Sequence, residues 1–299
     1  MATDTPNRSA PVALVVAMRP RQWLKNVLVF AAPLAAGQLL APDVLLPSIG
    51  AFIAFCLISS ATYLVNDARD VALDREHPTK RHRPIAAGQL SAGVALGAAV
   101  VLALASLALA FAIRPQLAGV VAIYLVFTLA YSLALKHEPV IELALLAMGF
   151  LLRAIAGGVA SDLPISAWFL IVAGFGSLFM AAGKRYSELE RANAGGTDAP
   201  QRRSLAGYTP TYLRFVWATA AAVTMTAYCL WAFEVGAAPS TLPWAQWSVV
   251  PFVLAILRYG VDVDRGNAEA PEEVVLHDRV LLVIGVVWVV LFGLGALGV

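Results

Sequence analysis

Five stretches of this chain run for 19 to 23 residues without a single charge: Ser91–Ile113, Pro115–Leu135, Leu163–Gly183, Phe215–Phe233 and Val280–Val299. A helix needs about 20 apolar residues to cross the ~30 Å hydrocarbon layer of a membrane. A water-soluble fold has no use for so many segments of that length. The composition agrees: of 299 residues, 60% are hydrophobic and only 13% charged, against roughly 45–50% and about 25% in soluble domains. A soluble globular enzyme is therefore excluded, and the apolar content equally excludes a disordered chain. With only Cys56 and Cys229, a disulfide scaffold is excluded too.

Four further segments complete the reading. Val27–Leu40, starting near Trp23, and Ser48–Val65 have the required hydropathy. Pro139–Val159 qualifies with Glu142 at its edge and Arg153 inside it. A last span runs from about Trp244 to Arg258, after a Gly-Ala-Ala-Pro-Ser loop. The expectation is an all-α polytopic membrane protein with nine transmembrane helices, forming a single domain over residues 1–299 with residues 1–18 as an N-terminal tail. Placing the N-terminus in the cytoplasm puts 19 of the 21 Lys and Arg residues in cytoplasmic segments, with only Arg114 outside and Arg153 within a span. That asymmetry predicts an N-in, C-out orientation. Met1–Pro11 is polar and lacks the apolar core of a cleavable signal peptide. The longest polar segments, Asn66–Gln89, Lys184–Pro210 and Asp262–Asp278, all fall on the cytoplasmic side and carry the clustered carboxylates. A multi-pass protein of the plasma (inner) membrane, with its chemistry facing the cytoplasm, is expected.

The most specific local pattern closes the second span: Asn66-Asp67-Ala68-Arg69-Asp70-Val71-Ala72-Leu73-Asp74. Residues three and four apart share a helix face, so Asn66, Asp67, Asp70 and Asp74 are expected to stack along one. Carboxylates at a helix C-terminus repel one another and the negative end of the helix dipole, and the membrane edge makes such charges expensive. A compensating cation is implied. Oxygen-only ligands suit Mg²⁺, which binds through one or two carboxylates and substrate phosphates. Zinc is disfavoured, because His77 and His82 have no cysteine beside them. The following segment, Arg75-Glu76-His77-Pro78-Thr79-Lys80-Arg81-His82-Arg83-Pro84, is dense in donors for anionic oxygen. Metal–diphosphate binding fits an acidic cluster with a basic clamp beside it. Further candidates at the same membrane face are Lys25 one turn beyond Arg21, the near-loopless Lys136-His137, and Lys184-Arg185-Tyr186-Ser187-Glu188 after the sixth span. Arg153, a cation inside a span, is expected to face a polar cavity or to pair with an acid or backbone carbonyls.

These residues resemble the UbiA superfamily of intramembrane prenyltransferases, all-helical bundles with a cytoplasm-facing polar cavity and Mg²⁺-bound diphosphate. Within it, Arg19–Asn26, Tyr63–Asp67, Asp74–Lys80, Arg83–Gly88 and Gly183–Tyr186 are similar to the decaprenyl-phosphate phosphoribosyltransferase branch, and the similarity extends through Ser204–Trp217 and Ala255–Arg279. The resemblance implies transfer of 5-phosphoribose from phosphoribosyl diphosphate to decaprenyl (polyprenyl) phosphate, with release of diphosphate, for cell-wall arabinan (arabinogalactan) precursor synthesis. It implies Mg²⁺ on Asn66 and Asp70, with Asp67 and Asp74 direct or through water. Lys80, Arg83, Lys136, His137 and Arg153 would clamp phosphates, and Lys25, Tyr63, Lys184, Arg185 and Tyr186 would complete the cavity. Glu188 would position donor hydroxyls or a second ion. The polyprenyl tail would lie in a groove open to membrane lipid. No nucleic-acid partner is expected, and association into a homo-oligomer stays open. Where typical superfamily members carry a second aspartate-rich motif, this chain has the basic Lys184-Arg185 with one acid, which suits an extra phosphate. An aromatic prenyltransferase using a prenyl diphosphate is the rival within the superfamily. A cation-site transporter is the rival outside it, and the one-sided placement of polar residues counts against that.

Overall fold

The computed structural model describes residues 9–194, 205–235, 242–268, 274 and 277–297. The remaining parts of the Lys184–Pro210 and Asp262–Asp278 segments, residues 1–8 with Arg8, the loop at 236–241 and the last two residues of the final span lie outside this set. Every regular element among the described residues is helical. Apart from short 3₁₀ turns at Lys80–His82, Leu135–His137 and Leu205–Gly207, in chain order these are α1 (Ala10–Ala17), a 3₁₀ segment (Pro20–Phe30), α2 (Ala31–Ala35), α3 (Pro42–Arg69), α4 (Val71–Glu76), α5 (Ala92–Ile113), α6 (Pro115–Leu133), α7 (Ile141–Ala160), α8 (Ala167–Ala194), α9 (Pro210–Val235), α10 (Trp244–Trp247), α11 (Val249–Asp264) and α12 (Arg279–Leu297). Among the described residues, seven of these are long and apolar enough to cross a membrane: α3, α5, α6, α7, α8, α9 and α12.

Two expected spans take a different form. The Trp244–Arg258 region divides into the short α10 and the 16-residue α11. The first span is an 11-residue 3₁₀ segment followed by the five-residue α2. Side chains at i and i+3 eclipse in a 3₁₀ helix, so Trp23, Asn26 and Val29 line up on one side. That side faces α3: Trp23 Nε1 donates to Ser60 Oγ at 3.0 Å, and Asn26 Nδ2 lies 3.3 Å from Cys56 Sγ and 3.4 Å from Ser59 Oγ. A period of three places these residues on α3 where a period of 3.6 would spread them. The expected tail is also corrected in part. Residues 10–17 form α1, whose Ala13 and Ala17 are buried against Ala61 and Leu64 of α3 and Ala95 and Ala99 of α5.

Successive long helices run antiparallel, and this sorts the bundle into two ends. At one end, Ser161 Oγ after α7 donates to the Val44 carbonyl of α3 at 3.0 Å, and Arg114 pairs with Asp162 at 2.6 Å. At the other end gather the last turns of α3, α6, α8 and α11 with the first turns of α7, α9 and α12. Most of the remaining charges among the described residues are there.

Hydrophobicity does not drive helix association between apolar surfaces in lipid, so close packing must. Small residues supply it here. Ala51, Ala54, Ala110, Ala156 and Ala160 sit with Phe55, Ile58 and Leu117 in the central core. At Gly157 an added Cβ would stand 2.0 Å from the Val29 carbonyl oxygen. Backbone cannot retreat from such a clash as a side chain can. Gly157→Ala is expected to destabilise by about 1–3 kcal/mol, the usual cost of overpacking. Gly97→Ala on α5, where a Cβ meets nothing within 4 Å, serves as the neutral control. Thermal unfolding in detergent checks the pair, and equal melting temperatures would contradict the close approach.

Candidate active site

The acidic motif does not ride on one continuous helix. α3 ends at Arg69, Asp70 adopts φ −88° and ψ 12°, and α4 restarts at Val71. The break turns Asp74 back toward Asp67, and one guanidinium holds both: Arg83 Nη1 lies 3.0 Å from Asp67 Oδ1 and 2.7 Å from Asp74 Oδ2. Arg19 Nη2 adds a second contact to Asp67 Oδ1 at 2.5 Å, and its guanidinium stacks 4.9 Å from the Tyr63 ring centre. Arg19 has φ +56°, a left-handed conformation uncommon for a non-glycine residue. Asp67 and Asp74 are almost fully buried, at 2% and 3% exposure. Unpaired carboxylates would not be tolerated there.

Asp70 is more open, its side chain 22% exposed, and Lys136 Nζ is 3.6 Å from its Oδ1. Asn66 lies one turn before it on the same side of α3. Among the described residues, no three His, Cys, Asp or Glu side chains converge on one point. Of the expected four-residue metal set, Asp67 and Asp74 pair with arginines in this structure. The pair that fits a hard cation is Asn66 with Asp70, since Mg²⁺ asks only one or two protein oxygens when phosphates and water complete its shell.

The end of α6 joins this cluster to a second one. Arg69 donates to the carbonyls of Ser132 at 2.6 Å and Leu133 at 3.1 Å. Tyr131, adjacent in sequence, receives a hydrogen bond from Arg185 Nη2 at 3.0 Å. Arg185 Nε also donates to Glu142 Oε1 at 2.6 Å, and its Nη1 pairs with Glu188. Lys184 Nζ lies 4.0 Å from the other oxygen of Glu188. The turn between α6 and α7 carries strain at the same place. Val140 has φ +68°, costly for a β-branched residue, and its N–H donates to the Tyr208 hydroxyl at 2.8 Å. Burial pushes the Tyr208 phenol up to about 12, so it stays protonated.

Lys25, Tyr63, Lys80 and Lys184 are half-buried at this end, and His137 is exposed. Three expected cavity residues are placed elsewhere. Arg185 is 2% exposed and committed to Glu142, Glu188 and Tyr131, so it is an internal counter-ion. Tyr186 points a third of a turn away, buried beside Phe179 and Trp217, with its hydroxyl accepting from Arg214 at 2.7 Å. Arg153 lies deep in the bundle, against the Phe55 ring. Phe55 is 11 residues before Asn66 on α3, roughly 16 Å along the helix. Arg153 donates to Asn26 Oδ1 and the Tyr124 hydroxyl at 2.7 Å each, and to the Gly149 carbonyl at 2.6 Å. The partners are neutral oxygens, with the Tyr124 ring centre 4.7 Å away.

Sequence reasoning passed over Arg19, Tyr131 and Glu142 as site residues. Glu142 carried a usable signal: it is an acid in the first turn of an otherwise apolar span, the same anomaly that drew attention to Arg153.

Below the polar end lies an apolar cavity of about 460 Å³, bounded by Leu28, Phe150, Met180, Tyr228, Trp231 and Phe292 among others. Leu28 follows Lys25 by one 3₁₀ turn and Met180 precedes Lys184 by one α-helical turn, so the cavity starts directly beneath those two cations. Trp168 lines it at the far end and donates to Glu234.

The deep site yields a stability prediction. Arg153→Met leaves the Asn26 amide oxygen and Tyr124 hydroxyl without their donor in an apolar interior, at a cost of about 1–3 kcal/mol. Arg153→Lys is expected not to restore it, because one ammonium cannot reproduce a planar fork reaching three acceptors. The readout is the melting temperature in detergent. An Arg153→Met protein as stable as the parent would contradict the structural role.

A profile of the UbiA prenyltransferase family matches residues 27–281. The chain is 50% identical over 292 residues to decaprenyl-phosphate phosphoribosyltransferase of Corynebacterium glutamicum, covering 95% of this chain and 86% of that one. It is also 50% identical to the protein of the same name from Mycobacterium tuberculosis, covering 96% and 95%. In fold it is similar to a UbiA homologue from Archaeoglobus fulgidus bound to DMAPP and Mg²⁺, with a TM-score of 0.70 at 17% identity over 96% of this chain and 99% of that one. The likeness in sequence and in helical fold thus covers most of the chain, and the chain belongs to the UbiA prenyltransferase family.

Proposed function

We propose that the protein transfers 5-phosphoribose from 5-phosphoribosyl 1-diphosphate to decaprenyl (polyprenyl) phosphate and releases diphosphate. The observation that carries this is the 50% identity, across nearly the whole chain, to relatives named for that reaction. Lys184 at the same end agrees with it: a cation besides those at the acidic motif suits a donor carrying a phosphate besides its diphosphate.

The donor's diphosphate sits at the end of α3, where Lys136 stands beside Asp70 and where Lys80, His137 and Lys25 supply further positive charge or donors. Arg83 and Arg19, held by Asp67 and Asp74, add guanidinium forks shaped for phosphate oxygens. Asn66 and Asp70 would hold Mg²⁺, which when bound supplies charge neutralisation on the diphosphate oxygens. The lipid phosphate oxygen forms a bond to C1 of the ribose as the bond from C1 to the diphosphate oxygen breaks. The electron pair leaves with diphosphate. The attacking phosphate is already an anion, so no general base is required. Positive charge grows on the ribose while negative charge grows on the leaving group, and the fixed cations stabilise the latter. The apolar cavity beneath Lys25 and Lys184 receives the first part of the polyprenyl chain, with the rest in the bilayer. In this reading the bundle has nine membrane-crossing segments, its N-terminus and active site face the cytoplasm, and the membrane is the plasma membrane.

Purified protein supplied with labelled phosphoribosyl diphosphate, decaprenyl phosphate and magnesium is expected to form lipid-linked phosphoribose and diphosphate in equal amounts. Absence of that product, with product from a prenyl diphosphate and an aromatic acceptor, would transfer the assignment to the aromatic prenyltransferase class. Asp70→Asn is expected to lower turnover by about 10²-fold or more with an unchanged melting curve. Full activity in that variant would remove Asp70 from the site.

A further inference from the structure

Glu142 is the most completely buried acid among the described residues, at 0% exposure in the first turn of α7. Its Oε1 takes two donors of Arg185, Nε and Nη2. Its Oε2 is buried with no hydrogen-bond partner among the described residues. A buried pair of this kind contributes little net stability, because desolvation offsets the attraction. What it does provide is orientation. Arg185 has its Nε and Nη2 edge fixed on Glu142, while Tyr131 further restrains Nη2. The remaining nitrogen, Nη1, is thereby aimed at Glu188, three residues on along α8.

Unlike Glu142 and Arg185, Glu188 is partly accessible at the polar end, its side chain 16% exposed. Its two oxygens face two cations: Oε2 meets Arg185, and Oε1 lies 4.0 Å from Lys184. That environment opposes a further metal ion, which would be repelled by both. It does not oppose neutral hydroxyl donors, since an ionised carboxylate presents about four acceptor positions. Two oxygens fixed in one plane match the spacing of neighbouring hydroxyls on a ring.

We propose that Glu142 and Arg185 are positioning residues that hold Glu188 as the acceptor for the vicinal hydroxyls of a pentose donor. The assignment rests on the phosphoribosyl reading above and deepens it, choosing hydroxyl recognition over a second ion for Glu188. It also accounts for a buried acid that packing alone does not require. Through Tyr131 and Ser132, neighbours in α6, the sugar end of the site is tied to Arg69 and so to the diphosphate end.

The test compares phosphoribosyl diphosphate with its 3-deoxy analogue, whose C1 is less perturbed than that of a 2-deoxy donor. Steady-state kcat and KM are measured for both at several magnesium concentrations. A polar group left unpaired in a built site gives strong rejection, so the wild-type protein is expected to prefer the hydroxylated donor by about 10²-fold or more in kcat/KM. Glu188→Ala is expected to lower kcat/KM for the natural donor by a similar factor and that of the 3-deoxy donor, which keeps only the 2-hydroxyl contact, by a clearly smaller one, so that discrimination falls. Glu142→Gln is expected to reduce discrimination in the same direction, and Glu188→Gln, which keeps shape and one acceptor, to fall between. A lowered melting temperature without loss of discrimination in Glu142→Gln would reduce Glu142 to a purely structural residue and overturn its role. Unchanged discrimination in Glu188→Ala, or a raised magnesium requirement with discrimination intact, would overturn the hydroxyl assignment. A wild-type protein inactive with phosphoribosyl diphosphate would overturn the underlying reading, an outcome distinct from active protein with unaltered selectivity.

Discussion

A carboxylate buried at the edge of a membrane persists only beside a cation, and the polar end of this bundle is arranged around that requirement. Arg83 meets it for Asp67 and Asp74 together, Arg19 reinforces Asp67, and Lys136 stands near Asp70. These pairs join segments far apart in sequence. Arg19 precedes the first apolar segment, Arg83 follows α4, and Lys136 lies between α6 and α7. The chain therefore cannot neutralise its acids without gathering these segments at one place. Neutralisation and site assembly are the same event.

Much of this was legible in the sequence, and the limits are instructive. Uncharged stretches of about 20 residues identify spans because the bilayer imposes a length, and the seven long helices follow that rule. The Asn66–Asp74 motif pointed to neighbouring cations, because closely spaced acids at a membrane face require them, and Arg19, Arg83 and Lys136 stand beside it. Spacing assumes a continuous helix, however, and the chain breaks at Asp70, which sends Asp74 to Arg83. Arg153, Arg185 and Tyr186 show a second limit. Charge inside an apolar run signals a buried polar partner, but one sequence does not say whether the partner is a ligand or another side chain. For Arg153 it is Asn26 and Tyr124; for Arg185 it is Glu142.

Two kinds of polar burial coexist here. The Arg153 group is neutral around its one cation and sits among aromatic rings in the central core, where it locks the 3₁₀ segment to α6 and α7. The Arg185 group is ionic and lies where the helices meet water, with one acid sealed and the other accessible. Depth separates the two roles: a charge with all donors satisfied internally organises packing, whereas a charge with one exposed partner remains available to a ligand.

The 3₁₀ segment matters for distance as well as for register. It begins beside Asp67, through Arg19, and continues through α2 to Gly37, which abuts the Ala296 carbonyl at the opposite end of the bundle. Pro20–Phe30 has 11 residues and Ala31–Ala35 has five. At a rise of about 2.0 Å for 3₁₀ and 1.5 Å for α geometry, they reach roughly 30 Å, the thickness of the hydrocarbon layer. An α-helix would need about 20 residues for the same reach. By stretching its backbone, this segment traverses the bundle with fewer residues than an α-helix needs, and it does so while carrying Gln22, Lys25 and Asn26. Counting residues measures a membrane only when the rise per residue is known.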